Sequence, residues 1–299
     1  DWPIVNTGDI EVLDDSLDLR NAVDHLTGTI NIATGATLVV PGTLTSSAAI
    51  TVGATGSLYL RNGGVNANPG NHLLGLTSSL SGAGTFRTVN ADTVIVQGAV
   101  DVGTLVTGNG YVQIDSDTAF IGGGNYLGGG FFSGSGVVSI GGGTQTAGTF
   151  FIQTGNFNGT GTIRVASGGT LNVSGTGVRG WDIDVAGTWS WTDNDINLLA
   201  FPPANTDFVN VLIRPSGVLQ MSHAGTARLM NFSGGSFTNL GTIRKQNGIA
   251  TTTISGVQIA NAGGLMDVVV GTLTIANNCS SLGTVTLNGG SFNGSGCGP

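Results

Sequence analysis

The sequence predicts an all-β chain folded as a parallel β-helix of about eleven rungs, opened by a helical cap. Three observations lead there: a glycine phrase that recurs along 299 residues, period-two alternation after each glycine, and a composition in which glycine supplies 53 residues and charge only 9%. The phrase is a glycine, a small residue and an apolar–polar–apolar triplet. It begins at Gly28 and returns at Gly56, Gly84, Gly110, Gly136, Gly161, Gly187, Gly217, Gly241, Gly264 and Gly283, at intervals of 19 to 30 residues. Self-similarity at such a period, in units carrying short strands, is how a solenoid is written.

The second and fourth residues after each glycine are apolar in almost every copy, and the residue between them is polar or small. Successive strand side chains point to opposite sides, so this alternation means one buried and one wet face. Stacking would set Ile30, Leu58, Phe86, Val112, Val138 and Ile163 in one interior column. Thr88 and Lys245 are the polar exceptions, where a rung is expected to slip out of register. Further strands are expected at Thr37–Val40, Thr93–Val96, Thr149–Ile152, Thr170–Val173 and Thr272–Ile275. Glycine is expected at the corners because they demand positive φ and close backbone approach.

The domain plan is an N-terminal cap over 1–27 and a single β-helix over 28–299. An insertion lies at 193–206 and a shorter one at 62–71. Leu19, Ala22, Val23 and Leu26 are spaced i, i+3, i+4, i+7 after the polar run Asp14-Asp15-Ser16, with Gly28 at the stop. This predicts an amphipathic helix. A solenoid must cover its exposed end. At the other end Cys279 and Cys297 are the only cysteines. A disulfide between them would staple the final turn; two buried free thiols are the alternative.

Net charge is −8, from 9 basic and 17 acidic residues, which leaves no basic patch for nucleic acid. No apolar run is long enough to span a bilayer. The start at Asp1-Trp2 without methionine reads as a processed N-terminus and points to secretion, in keeping with a disulfide. Three histidines far apart and two cysteines give no zinc spacing, so no metal or cofactor is expected.

Catalysis finds little support. Asp115/Asp117, Asp182/Asp184 and Asp193/Asp195 have the spacing of paired carboxylates that can work on sugars. In Gly/Asn-rich turns such residues more often cap corners. Asn205-Thr206-Asp207, Ser222-His223-Ala224-Gly225 and Ile243-Arg244-Lys245 follow the order of polygalacturonase motifs, but the intervening Asp pair is missing and the motifs are altered. Thr-x-Thr pairs such as Thr272/Thr274 do not recur in every rung, as an ice-binding ladder would need. The insertion, with Trp189, Trp191, Asp193, Asp195 and Phe201, is the candidate contact site; the competing view makes both tryptophans interior column members.

The phrases Gly155–Ile163, Gly235–Ile243 and Gly290–Gly296 resemble repeats of bacterial surface β-helix proteins, the haemagglutinin-type adhesins and autotransporter passengers. The segment Ser16–Val23 is similar to the helix that caps many secreted right-handed β-helices. The resemblance implies a right-handed helix and an extracellular, non-enzymatic role in adhesion or surface structure, with no catalytic residues to carry over. The expected function is a self-assembling surface or filament subunit, partnered by copies of itself. The alternatives are a monomeric adhesin for surface glycans or proteins, and a polysaccharide-degrading enzyme.

Overall fold

A computed structural model describes residues 4–20, 23–25, 27–61, 71–89, 93–108, 111–115, 119–134, 137–140, 149–174, 176–193, 195–199, 208–231, 234–277, 279–281 and 283–294. They form a parallel β-solenoid, divided into two compact units, Asp1–Gly148 and Thr149–Pro299. Each turn lays down short strands on three faces, and each strand pairs in parallel with its counterpart one turn on.

In the first unit one face runs Ile10, Ile30, Ile50, Leu80, Val100, Ala119, Val138 in strict register. A second runs Leu17, Leu38, Leu58, Phe86, Leu105. On the third, Ile4, Val23 and Leu44 are followed by Val94 and Val112. The glycine phrase therefore changes face here. Its Gly28 copy lies on the first face, its Gly56 and Gly84 copies on the second and its Gly110 triplet on the third. The expected single column is three columns, because the same corner chemistry serves several corners. In the second unit the Gly161 copy, Ile163, stacks on Ile183 on one face, and from Gly187 onward the phrase keeps its place on another. Trp189, Leu219, Ile243, Met266 and Val285, from five consecutive copies, form one continuous column.

Among the described residues there is no helix, and the N-terminal cap is not one. Residues 4–25 instead supply strands Ile4–Asn6, Ile10–Val12, Ser16–Asp18 and Val23–His25. The helical spacing misled because three-residue strands joined by short corners also bring one inward residue round every six or seven positions. Leu17 pairs with Leu38 and Val23 with Leu44; a helix would have left those strand edges without partners. Ala22 and Leu26 lie outside the described residues. Nor do Thr88 and Lys245 disturb the register. Leu60, Thr88 and Thr107 follow one another in step, as do Met221, Lys245 and Val268. Both exceptions are fully buried.

Glycine serves the corners both ways: positive φ falls on glycines such as Gly35, Gly168 and Gly263, while the repeat glycines serve mainly through space. Of the described repeat glycines only Gly28 has a positive φ, at 88°. At Gly56, Gly84, Gly187, Gly217, Gly241 and Gly283 an added Cβ would fall on a backbone oxygen of the preceding turn, inside the 3.0 Å that real Cβ atoms essentially never breach. The corner Arg214–Gly217 shows why. Gly217 N–H donates to Arg214 O at 2.8 Å within the turn, and its own carbonyl accepts from Thr242 N–H of the next turn at 2.9 Å. The ladder thus continues round the bend.

Gly217→Ala is expected to cost about 2–3 kcal/mol through overpacking. Gly225→Ala, where a Cβ meets nothing within 4 Å, should stay within about 0.5 kcal/mol of the parent. Urea unfolding midpoints of the two variants check this.

Candidate functional site

Of the carboxylate pairs, Asp182, Asp184 and Asp195 are cross-turn pins. Asp184 is clamped by Arg214 of the next turn, Nε to Oδ1 at 2.6 Å and Nη2 to Oδ2 at 2.8 Å, and Arg164 of the preceding turn lies 3.4 Å away. The hydrogen bond from Arg214 is the main reason its carboxyl titrates below the usual aspartate value. Asp182 accepts from the backbone N–H and side-chain amide of Asn210 at 2.8 and 3.0 Å. Asp195 holds the backbone N–H of Arg228 at 2.8 Å and its guanidinium at 2.9 Å. Asp267 takes Arg244 and Asn288, each at 2.9 Å. Asp115, just after strand Tyr111–Ile114, accepts from Gln113 of that strand, and Asp117 lies outside the described residues. Carboxylates engaged in this way bolt turns together.

The candidate contact site is divided. Trp189 and Trp191 are buried interior members of the column face, and Trp191 donates its indole N–H to Asp193 O at 3.1 Å. Neither ring is presented to a ligand. Asp193 is exposed, Asp195 is tied to Arg228, and Phe201 lies outside the described residues. Cys279 is buried in strand Cys279–Ser281, and Cys297 likewise lies outside the described residues.

The structure also gathers a cluster that sequence separation hides. His223, Lys245 and Thr252 meet under one corner of the second unit, all essentially without exposure. Lys245, the only lysine in the chain, donates through Nζ to Asn247 O and, at 2.9 Å, to Gly248 O. His223 Nδ1 lies 2.9 Å from Gly225 O, so that nitrogen carries the proton; Nε2 then accepts from the Thr252 hydroxyl at 2.9 Å. The imidazole also packs 4.9 Å from the Trp191 ring centroid. Burial pushes the pKa values of both Lys245 and His223 down, and the Lys245 charge lowers His223 further. The cluster is sealed: it satisfies corner carbonyls and has no route to a substrate. Its one legible signal was a lysine at an inward position.

The end turns are different. Ile4 continues the column of the fully buried Val23 and Leu44 yet is 36% exposed, and Leu287 continues the column of buried Val268 yet is 54% exposed. Ile10, Leu17, Val285 and Phe292 are likewise only half-buried. No described strand pairs with the outer edges of Ile4–Asn6, Ile10–Val12 and Ser16–Asp18, or with those of Cys279–Ser281, Thr284–Leu287 and Ser291–Gly294.

No protein-family model matches the chain, and neither does any curated protein or any solved structure. No helix of the described residues is long and apolar enough to cross a membrane.

The buried histidines set a pH dependence. Desolvation, only partly offset by Asp9, lowers the pKa of His25, and desolvation with the Lys245 charge lowers that of His223, both from 6.5. Below that value the unfolded chain takes up protons that the folded one refuses, so stability is whole above pH 6.5 and drains away as the pH falls through it. The urea midpoint should therefore drop between pH 8 and pH 5. In Lys245→Met the repulsion on His223 is gone and the drop should shrink.

Proposed function

We propose that this chain is an extracellular structural subunit that assembles head to tail with copies of itself, without a catalytic role. The observation that carries the reading is the state of the first and last described turns: parallel edges with which no described strand pairs, and core columns whose outermost described members are only half-covered. A parallel edge of unpaired N–H and C=O groups is a template for another strand. Here an incoming turn would also bury the column residues left half-covered. The contact joins unlike surfaces, so it does not close on itself and propagates.

Charge supports the polarity. Seven of the 17 acidic residues lie within residues 1–24, whereas none of residues 268–299 carries a charge. The flanks are quiet as well, since six of the eight arginines pair with an aspartate. Such a surface offers little long-range repulsion between neighbouring filaments. The likeness of the repeats to bacterial surface adhesins supports the extracellular setting, and the expected Cys279–Cys297 disulfide agrees with it. An adhesive role on the flank of such a filament is compatible with the same fold.

Negative-stain electron microscopy across a dilution series should show fibres. Leu287→Asp, which sets a negative charge opposite the acidic end, should leave separate particles; Ile249→Asp, at an 87% exposed position away from the end turns, should not. Separate particles from the parent chain at every concentration would overturn the assembly reading.

The thiols are tested separately. Alkylation in denaturant without reductant should label neither cysteine, and after reduction it should label both. Removing the staple from a short tapering turn should cost about 2–4 kcal/mol.

A further inference from the structure

The second unit carries an open groove of about 550 Å³ on its outer surface, within the 300–1,000 Å³ of small-ligand clefts. Its floor is the outward column Thr238, Ala260, Ser280, whose members follow one another in register over three turns. Small side chains keep that floor flat. One wall is Phe208, 47% exposed although its neighbour Val209 is fully buried. An aromatic ring left half in water beside a groove is unusual for a core-forming residue. The exposed amide of Gln258 also lines the groove.

The wall is held rigidly. Asn210 O accepts from Ile183 N–H at 2.8 Å, and Asn210 N–H donates to Asp182 at the same distance. The Asn210 side-chain oxygen takes both the N–H and the hydroxyl of Ser236, at 3.1 and 2.9 Å. The Phe208 ring also sits beside Gly234, where φ is +80°; a Cβ there would touch the ring at 3.7 Å. The aromatic platform is therefore fixed before any ligand arrives.

Among the described residues, none lining the groove is charged. Its chemistry is one apolar ring face, amides and hydroxyls. We propose that the groove binds a neutral oligosaccharide, which stacks the C–H face of a sugar ring on Phe208 and exchanges hydrogen bonds with Gln258 and the hydroxyls of Thr238 and Ser280. A polyanion would find no cation here. An extended peptide would find no backbone partners, because the floor is the face of a sheet whose N–H and C=O groups are spent in the ladder. A saccharide needs neither, and successive turns about 4.8 Å apart offer a chain of sugars running across them a polar group at each step. The groove lies on the flank and meets an end turn only at Ser280, in strand Cys279–Ser281, so its sugar binding and the head-to-tail contact are separated by experiment.

The whole protein is titrated with neutral pentasaccharides of glucose, mannose, galactose and xylose, followed by ligand-observed NMR and calorimetry. At least one should bind saturably. Phe208→Ala should weaken that binding about tenfold or more while leaving the thermal midpoint in place, because the side chain is half exposed. Gln258→Ala should weaken it about threefold, and Leu76→Ala, which removes an exposed apolar side chain in the first unit, should leave it unchanged. Repeating the titration with Leu287→Asp separates the two readings: sugar binding should survive the loss of fibres. The proposal is overturned if no pentasaccharide saturates by about 5 mM, if Phe208→Ala leaves the affinity unchanged, or if acidic oligosaccharides bind more tightly. Loss of fibres in Phe208→Ala would also overturn it, because a second copy would then occupy the groove.

Discussion

The fold depends on how closely the backbone of one turn approaches the next at the corners. Strands stack at hydrogen-bonding distance on the faces, and the corners must hold the same spacing or the ladder breaks there. At Gly187, Gly217 and Gly241 the carbonyls of the turn beneath occupy the space a Cβ would need. The gain is continuity. Thr188, Val218, Thr242, Leu265 and Thr284 N–H groups all donate to a glycine carbonyl of the preceding turn, at 2.7 to 2.9 Å. Backbone groups that would otherwise need water or side chains at each bend find partners within the coil. A chain built so can do with few charges, and this one carries charge on only 9% of its residues.

Inside that coil the core is narrow, one side chain per position per turn, and several positions are polar. Asn239 donates to Asn261 at 2.7 Å, and the corner glycines Gly264 and Gly283 leave the room these amides occupy. Lys245 and His223 close another corner from within. Apolar columns of Val, Ile and Leu are nearly interchangeable, so a slip by a whole turn would cost them little. A buried amide or ammonium has partners in one register alone, and leaving it without them costs more than a methyl group misplaced. These polar members fix the register that the apolar columns leave open.

The architecture was legible because alternation and glycine are local signals. What failed were inferences needing to know which turn lies above which. The glycine phrase marks a corner without saying which of three, so the Gly28 and Gly56 copies were assigned one column and occupy two. Leu19, Ala22, Val23 and Leu26 fit a helix in isolation; the strand edges of Ser16–Asp18 and Val23–His25 find their partners at Thr37–Val40 and Leu44–Ser46, which a window of that length does not contain. For Trp189 and Trp191 the sequence left a contact site and an interior column both open, and their column neighbours Leu219 and Met221 cover them. His223 and Thr252 stand 29 residues apart and meet because one turn of the coil separates them. The groove beside Phe208 was not legible at all, since it rests on outward residues from three turns and a wall from a fourth segment.

The end turns bring pairing geometry and charge to bear on the same question. Two N-terminal edges brought together by a two-fold axis would run antiparallel and would set Asp9, Glu11, Asp14 and Asp15 of one copy against those of the other. Two C-terminal edges would also run antiparallel, out of step with the parallel ladder beneath them. Only the unlike pair keeps every strand parallel and sets the acidic turn against the stretch after Asp267, where no charge opposes it. The same join would bring half-covered apolar residues of the first turn, Ile4, Ile10 and Leu17, against half-covered ones of the last, Val285, Leu287 and Phe292. If copies join as proposed, hydrogen bonding, burial and electrostatics would all favour one polarity, the one in which each unit already stacks its own turns.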